Sequence, residues 1–172
     1  MPWLLELEVF KNIRLGTQKT IRWPGFAAKA TVLRDLGLLS QQPIDVDGVE
    51  VAPKAVVDAV LYPYVKMREH DRDLTIFRVE VSGVKDGFPH RRRIDMVDRY
   101  DETLGFTSMA RVTAFTGAIV ARMAAGGDFG AAKGWITPEK LLTGERFHRL
   151  VQELAGAGVA FTETVEETMR LV

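Results

Sequence analysis

Two arginines stand where a chain passes from strand to helix, and their positions are the first chemical signal in this sequence. Arg22 stands at the end of the strand-like run Lys19–Trp23, immediately before Trp23-Pro24-Gly25, and Gly25 leads into a helical pattern. Helix-start amides beside a guanidinium and the Trp23 indole form a reasonable site for a carboxylate. A surface arginine at a strand end fits the same letters. Arg111 falls in the first turn of the longest helical pattern. The helix dipole disfavours a cation there unless an anion or a carboxylate answers it. That conflict between local preference and residue type marks a place where function can override propensity.

Asp95, Asp98, Arg99 and Asp101 form a dense charged cluster on the strand before that helix. A cross-strand ion-pair network with Arg78 and Glu80 accounts for it. A second reading has some of these groups orienting substrate-binding residues from behind. Asp101-Glu102, just ahead of the helix, also suits its positive end. His70, His90 and His148 are scattered, with no HxH or HExxH spacing. His148 points away from the apolar stripe of its helix and reads as a solvated surface residue. His90, at a strand start beside arginines, could serve as a general acid or base. The aspartates lack a histidine or further carboxylates at metal-ligand spacing, so no metal site is expected. No Ser/His/Asp or Lys/His set stands in catalytic order, and the catalytic residues stay unassigned.

Composition narrows the classes. With 172 residues the chain suffices for one well-buried core, so a single domain over 1–172 is expected. Its 23 basic and 23 acidic residues cancel, which argues against a nucleic-acid partner. Cysteine is absent, which excludes disulfides, thiolate nucleophiles and cysteine-based metal sites. No apolar run approaches the length of a membrane span and no signal-peptide pattern opens the chain, so a cytoplasmic protein is expected.

Certain elements must position these residues. Residues 1–10 read as a strand or short helix, and Lys19–Trp23 as a short strand. Phe26–Leu36 reads as a helix capped by Gly37. Apolar residues alternate around Asp47-Gly48, the signature of a tight hairpin over 44–51. Pro53 opens a helix that Pro63 should end or kink near Leu61. Asp73–Val84 is the clearest strand, with Thr75, Phe77, Val79 and Val81 on one face and Arg78 and Glu80 on the other. Lys85-Asp86-Gly87 then returns the chain through the Arg-rich segment, a long antiparallel hairpin.

The central unit is Arg91–Gly127, a charged strand joined through a short turn to a helix from about Thr107. Met109, Val112, Phe115, Thr116, Ile119, Val120 and Met123 form the apolar run of that helix. Its Ala/Gly side suits close packing on a sheet, a subunit interface or a ligand groove. Thr137 and Pro138 start a short helix. Phe147, Leu150, Val151 and Leu154 are the expected buried face of the last helix, which Gly156-Ala157-Gly158 stops before a closing strand. A dinucleotide GxGxxG loop is absent; the single GxG, Gly156-Ala157-Gly158, follows a helix. These elements predict an α+β fold, one twisted, mixed and largely antiparallel sheet packed against helices.

In order along the chain, KTIRWPGFAAKATVLRDLGLL, VDGVEVAPKAVVDAVLYP, VEVSGVKDG, IDMVDRYDE and TSMARVTAFTGAIVARMAAGG resemble the C-terminal portion of the saccharopine dehydrogenase family. Saccharopine reductases and lysine 6-dehydrogenases are the nearest kinds. The resemblance covers about residues 15–161. It implies an α+β substrate-binding and dimerisation domain shaped like the C-terminal domain of glyceraldehyde-3-phosphate dehydrogenase. The family motif Thr-[Leu/Ile]-Arg-Tyr-Pro-Gly-His is matched by Thr20–Phe26, with Trp23 for Tyr and Phe26 for His. Met-Ala-Arg-Thr-Thr-Gly-[Phe/Tyr]-Pro is matched by Met109–Thr116, keeping Arg111 and Thr113 but with Ala114 and Thr116 at the Gly and Pro positions.

Arg22, Trp23, Gly25, Arg111 and Thr113 are thereby the expected substrate-binding residues, for an amino-acid-like molecule. NAD or NADP is implied for the complete enzyme. Its Rossmann domain is expected on a longer chain or a separate subunit, since this chain alone is expected to bind no cofactor and to be inactive by itself. A homodimer is the implied assembly. The alternative is a non-catalytic module that binds a partner subunit or a small acidic metabolite, which the loss of the motif histidine at Phe26 favours.

Overall fold

The computed structural model describes residues 4 and 6–168. Their contacts gather into two units, one of residues 14–71 and one of residues 72–168 together with the described residues before 14. Of the first ten residues, Glu8–Phe10 form a 3-10 turn, while Met1–Trp3 and Leu5, which the same expectation covered, lie outside the described residues.

In the unit 14–71, helix α1 (Phe26–Asp35) is followed by the hairpin β1 (Ile44–Val46) and β2 (Val49–Val51), then by α2 (Pro53–Val65). Asp47 and Gly48 both take positive φ, 52° and 82°, which gives the hairpin the twist its strands need. Gly37, with φ of 75°, ends α1 as a left-handed cap; its own N–H donates to the Arg34 carbonyl and that of Leu38 to Leu33. Two expectations fail here. Lys19–Trp23 is irregular, because among the described residues no strand lies beside it to take up its backbone groups. Helix α2 runs past Pro63 to Val65, with the Lys66 N–H closing on the Tyr62 carbonyl. A proline in the final turn removes one bond where the helix ends anyway.

The larger unit is built on β3 (Leu74–Lys85), β4 (Phe88–Arg99) and β5 (Thr162–Glu167), an antiparallel sheet in the order β3-β4-β5. The β3–β4 register is unbroken from Leu74↔Arg99 to Lys85↔Phe88, around a second Asp-Gly turn whose φ angles are again positive. Thr75, Phe77, Val79 and Val81 share a face with Asp98, Met96, Ile94 and Arg92, as the alternation predicts. The expected single mixed sheet is therefore two separate antiparallel sheets.

Three helices complete the unit: α3 (Ser108–Ala125), the single turn α4 (Pro138–Leu141) and α5 (Glu145–Gly156). Met96 from β4, Ile119 and Met123 from α3, Leu150 and Leu154 from α5, and Val159 form the core, with Val112, Phe115 and Phe161 against it. Met109 and Phe147, expected inside, lie exposed at the outer ends of their stripes. Thr137 precedes Pro138 as placed, yet its hydroxyl caps nothing. The Ala/Gly side of α3 faces solvent rather than the sheet: Ala110, Ala114, Gly117, Ala118 and Ala121 are exposed. Among the described residues no helix is long and apolar enough to cross a membrane.

Candidate functional site

Helix α3 begins where four pieces of chain meet, and its N-terminus is fixed from two sides. Thr107 caps it in the usual way, its hydroxyl accepting from the Ala110 N–H at 3.0 Å. Asp73, just ahead of β3, adds a second cap: its carboxylate accepts from Ser108 N–H at 2.7 Å and Met109 N–H at 2.9 Å. The negative charge also answers the helix dipole. The wholly buried Ser108 hydroxyl donates to Thr75 Oγ1 at 2.8 Å, tying the helix start to β3.

Arg111 lies one turn further on, 7% exposed. Its Nη1 is 3.2 Å from Asp101 Oδ2 and 3.6 Å from Asp98 Oδ1. Nη2 donates to the Ala157 carbonyl at 3.1 Å, and Nη1 to the Arg99 carbonyl at 3.5 Å. One guanidinium thus joins α3 to the end of β4, to the turn after it and to the chain leaving α5. The cation misplaced at a helix start is answered by carboxylates of this chain itself. Two carboxylates face one guanidinium, so the joint offers no spare positive charge to a ligand carboxylate. Asp98 Oδ2 and Arg111 Nε are buried without a hydrogen-bond partner.

Asp101 serves both sides of that joint. Its Oδ1 accepts from the N–H groups of Thr103 and Leu104, each at 2.9 Å, shaping the turn, while Oδ2 faces Arg111. The Leu104 N–H, then the Thr103 N–H, then the Arg111 charge hold its carboxyl below the ordinary range. A carboxyl depressed by folding stabilises the fold above its unfolded value, about 3.9, and that contribution disappears as pH falls through the folded value. Asp101→Asn is therefore expected to flatten the loss of urea stability between about pH 5 and pH 3. An unchanged pH slope in the variant would remove Asp101 from the joint.

Of the rest of the cluster, Asp95 behaves as the ion-pair reading expects. Arg78 meets Asp95 at 2.5 Å across the hairpin, and Arg93 meets the same carboxylate at 2.9 Å. The Arg78 hydrogen bond leads the causes that lower the Asp95 carboxyl. His148 is exposed. His90 is half-buried with Nδ1 3.2 Å from Glu167, beside a shallow cavity of about 290 Å³ at the far end of the sheet. Thr113 is exposed on α3, two residues beyond Arg111.

Arg22, Trp23 and Gly25 belong to the other unit. Arg22 has no carboxylate partner among the described residues: Nη1 donates to the adjacent Ile21 carbonyl at 3.3 Å, and the guanidinium lies 5.9 Å from the Phe26 ring centroid. Trp23 is 80% exposed. Gly25, with φ of 85°, is the N-cap of α1 and carries no side chain to cap it. The structure thus brings Arg22, Trp23 and Gly25 together at one helix start, and Arg111 and Thr113 together at another. Residues missed from the sequence are Asp73, Ala157 and Gly158. An aspartate just before a strand resembles a solvated loop residue, and Gly158 resembled a simple helix stop.

The architecture defines a class first: an α+β fold with antiparallel sheets packed against helices and a buried arginine at its main strand-to-helix junction. The model of the saccharopine dehydrogenase C-terminal domain matches residues 4–159. The chain belongs to that family, a family of oxidoreductases of amino-acid metabolism.

Proposed function

We propose that this chain is the substrate-binding and dimerisation part of an NAD(P)-dependent amino-acid oxidoreductase of the lysine or saccharopine dehydrogenase kind, working in the cytoplasm as a homodimer. The observation that carries the reading is Arg22. Within a chain of this family, an exposed guanidinium without an ion-pair partner stands beside an indole and an uncapped helix start. That set suits a substrate carboxylate.

Arg111 acts differently in this reading. Held by Asp98 and Asp101, it ties the turn after β4 to the first turn of α3. No glycine-rich loop joins a strand to a helix among the described residues. The nicotinamide is assigned to a Rossmann domain, on a longer chain or a separate subunit.

Calorimetric titration with L-lysine, L-glutamate and saccharopine tests the reading. Arg22→Ala is expected to weaken binding of the preferred ligand about tenfold or more, as loss of a charge-assisted hydrogen bond does. Arg22→Lys should recover part of it. Wild-type affinity in Arg22→Ala would overturn the assignment. The second reading, a non-catalytic module for a partner subunit or small acidic metabolite, is favoured by the apolar residues Ile21, Trp23 and Phe26 exposed beside Arg22. It gains if none of the three amino acids binds.

A further inference from the structure

The two edges of the three-stranded sheet differ. At one edge, β5 is short and carries Glu163, Glu166 and Glu167, the usual protection of an open strand. At the other, β3 runs for 12 residues without a bulge. It has no proline, and its one lysine, Lys85, lies at the turn. Ile76, Phe77, Val79 and Val81 are all exposed along it. Such an edge is a template for another strand.

The hairpin geometry says which backbone groups are open. Lys85 and Phe88 flank a two-residue turn and so form a hydrogen-bonded pair. Odd-numbered residues of β3 therefore bond inward to β4. The even-numbered set, Leu74, Ile76, Arg78, Glu80, Ser82 and Val84, directs its N–H and C=O groups outward.

We infer that β3 pairs antiparallel with β3 of a second copy of this chain, about a two-fold axis at Val79, joining two sheets into one of six strands. This names the surface for the dimerisation part of the proposed function, and it rests on that part.

Charge selects the register. Centred on Val79, Arg78 lies opposite the partner's Glu80, and symmetry supplies the pair twice. Centred on Arg78 or on Glu80, identical charges would face each other. A shift by one residue would set the apolar face of one copy against the charged face of the other. In the Val79 register the outward even-numbered residues meet one another, so their backbone groups are satisfied. On the opposite face Val79 meets the partner's Val79, and Phe77 meets the partner's Val81, as close non-hydrogen-bonded pairs. Arg78 already leans on Asp95 and Glu80 on Arg91 within the chain, which orients both side chains on the face where the pairing needs them.

A chain without cysteine gives a direct test. In Val79→Cys the two sulfurs lie on the axis, on Cα atoms about 4.5 Å apart, within disulfide range. Mild oxidation should convert the protein to a covalent dimer that reductant reverses. Ser82→Cys, on the same edge but roughly 20 Å from its own copy, should not cross-link. By sedimentation equilibrium of the uncross-linked protein, Arg78→Glu and Glu80→Arg should each weaken the dimer about tenfold or more, and the double exchange should restore it. Restoration separates the contact between copies from a local one, because Glu at 78 still faces Asp95 within its own chain.

A dimer that neither cross-links through Val79→Cys nor responds to the charge exchange overturns the β3 pairing and leaves dimerisation to a different surface. A chain monomeric at every concentration overturns the pairing and dimerisation together, while the Arg22 titration still decides substrate binding.

Discussion

Arg111→Met lowers stability by about 3–5 kcal/mol, the cost of leaving a buried charge without its partner. Methionine fills much of the same volume and keeps helix propensity, so the loss reports the charge rather than a cavity. Asp98, 6% exposed, would face no cation, and the Ala157 carbonyl would lose its donor. In a domain of this size the thermal midpoint should fall by about 10 °C. Adding Asp98→Asn removes the stranded carboxylate and should return part of that loss. Urea denaturation of the two single variants and the double closes the cycle. If the double variant lost the sum of the two singles, the Arg111–Asp98 contact would carry no coupling and the joint would be a packing feature only.

Gly158→Ala has the second largest expected effect, and it acts through the same arginine. Gly158 takes φ of 84°, and a Cβ built there meets Arg111 Nη2 at 2.8 Å. The backbone conformation alone costs about 1–2 kcal/mol for an L side chain. The guanidinium, held by carboxylates and carbonyls on several sides, cannot yield without giving up the Ala157 carbonyl, which adds about 1 kcal/mol. The expected total is about 2–3 kcal/mol. Gly156→Ala is the control, since that glycine is helical and nothing lies within 4 Å of its Cβ position. It should be neutral or slightly stabilising. In an Arg111→Met background the steric part of the Gly158→Ala cost should vanish. Equal melting behaviour of the two alanine variants in the wild-type background would contradict the close approach.

These effects mark the boundary of what the sequence could disclose. Asp47-Gly48 and Asp86-Gly87 announced both hairpins because the turn chemistry is local: positive φ at two successive residues selects few residue types. The faces of β3, the extent of α3 and the Leu150/Leu154 stripe followed from period alone. Lys19–Trp23 failed because strand propensity describes a residue's fit to a sheet, and no neighbouring strand among the described residues supplies one.

For the site, the sequence exposed a question and not its answer. An arginine in the first turn of a helix is visible as a misfit, and Asp98 and Asp101 were visible as a cluster. That they meet depends on the bend of the turn after β4. The other end of the joint, Ala157 and Gly158, lies more than forty positions away, where no periodicity reaches. Arg22 was legible as a cation beside an indole and a helix start, and its freedom from an ion pair is a fact of the fold alone.

The separations of these contacts along the chain also set an order of assembly. Arg78 and Asp95 are 17 positions apart across the β3–β4 turn, whereas Arg111 reaches Ala157 over 46 and Arg92 reaches Glu163 over 71. Loop-closure entropy grows with separation, so the hairpin forms first and β5 with the arginine joint closes afterwards. Pulse-labelled hydrogen exchange during refolding should find β3 and β4 amides protected before those of β5; the reverse order would refute this. The junction that presents α3 is then the last part of the unit to become fixed. The local openings of this unit would begin there, while the hairpin stays whole.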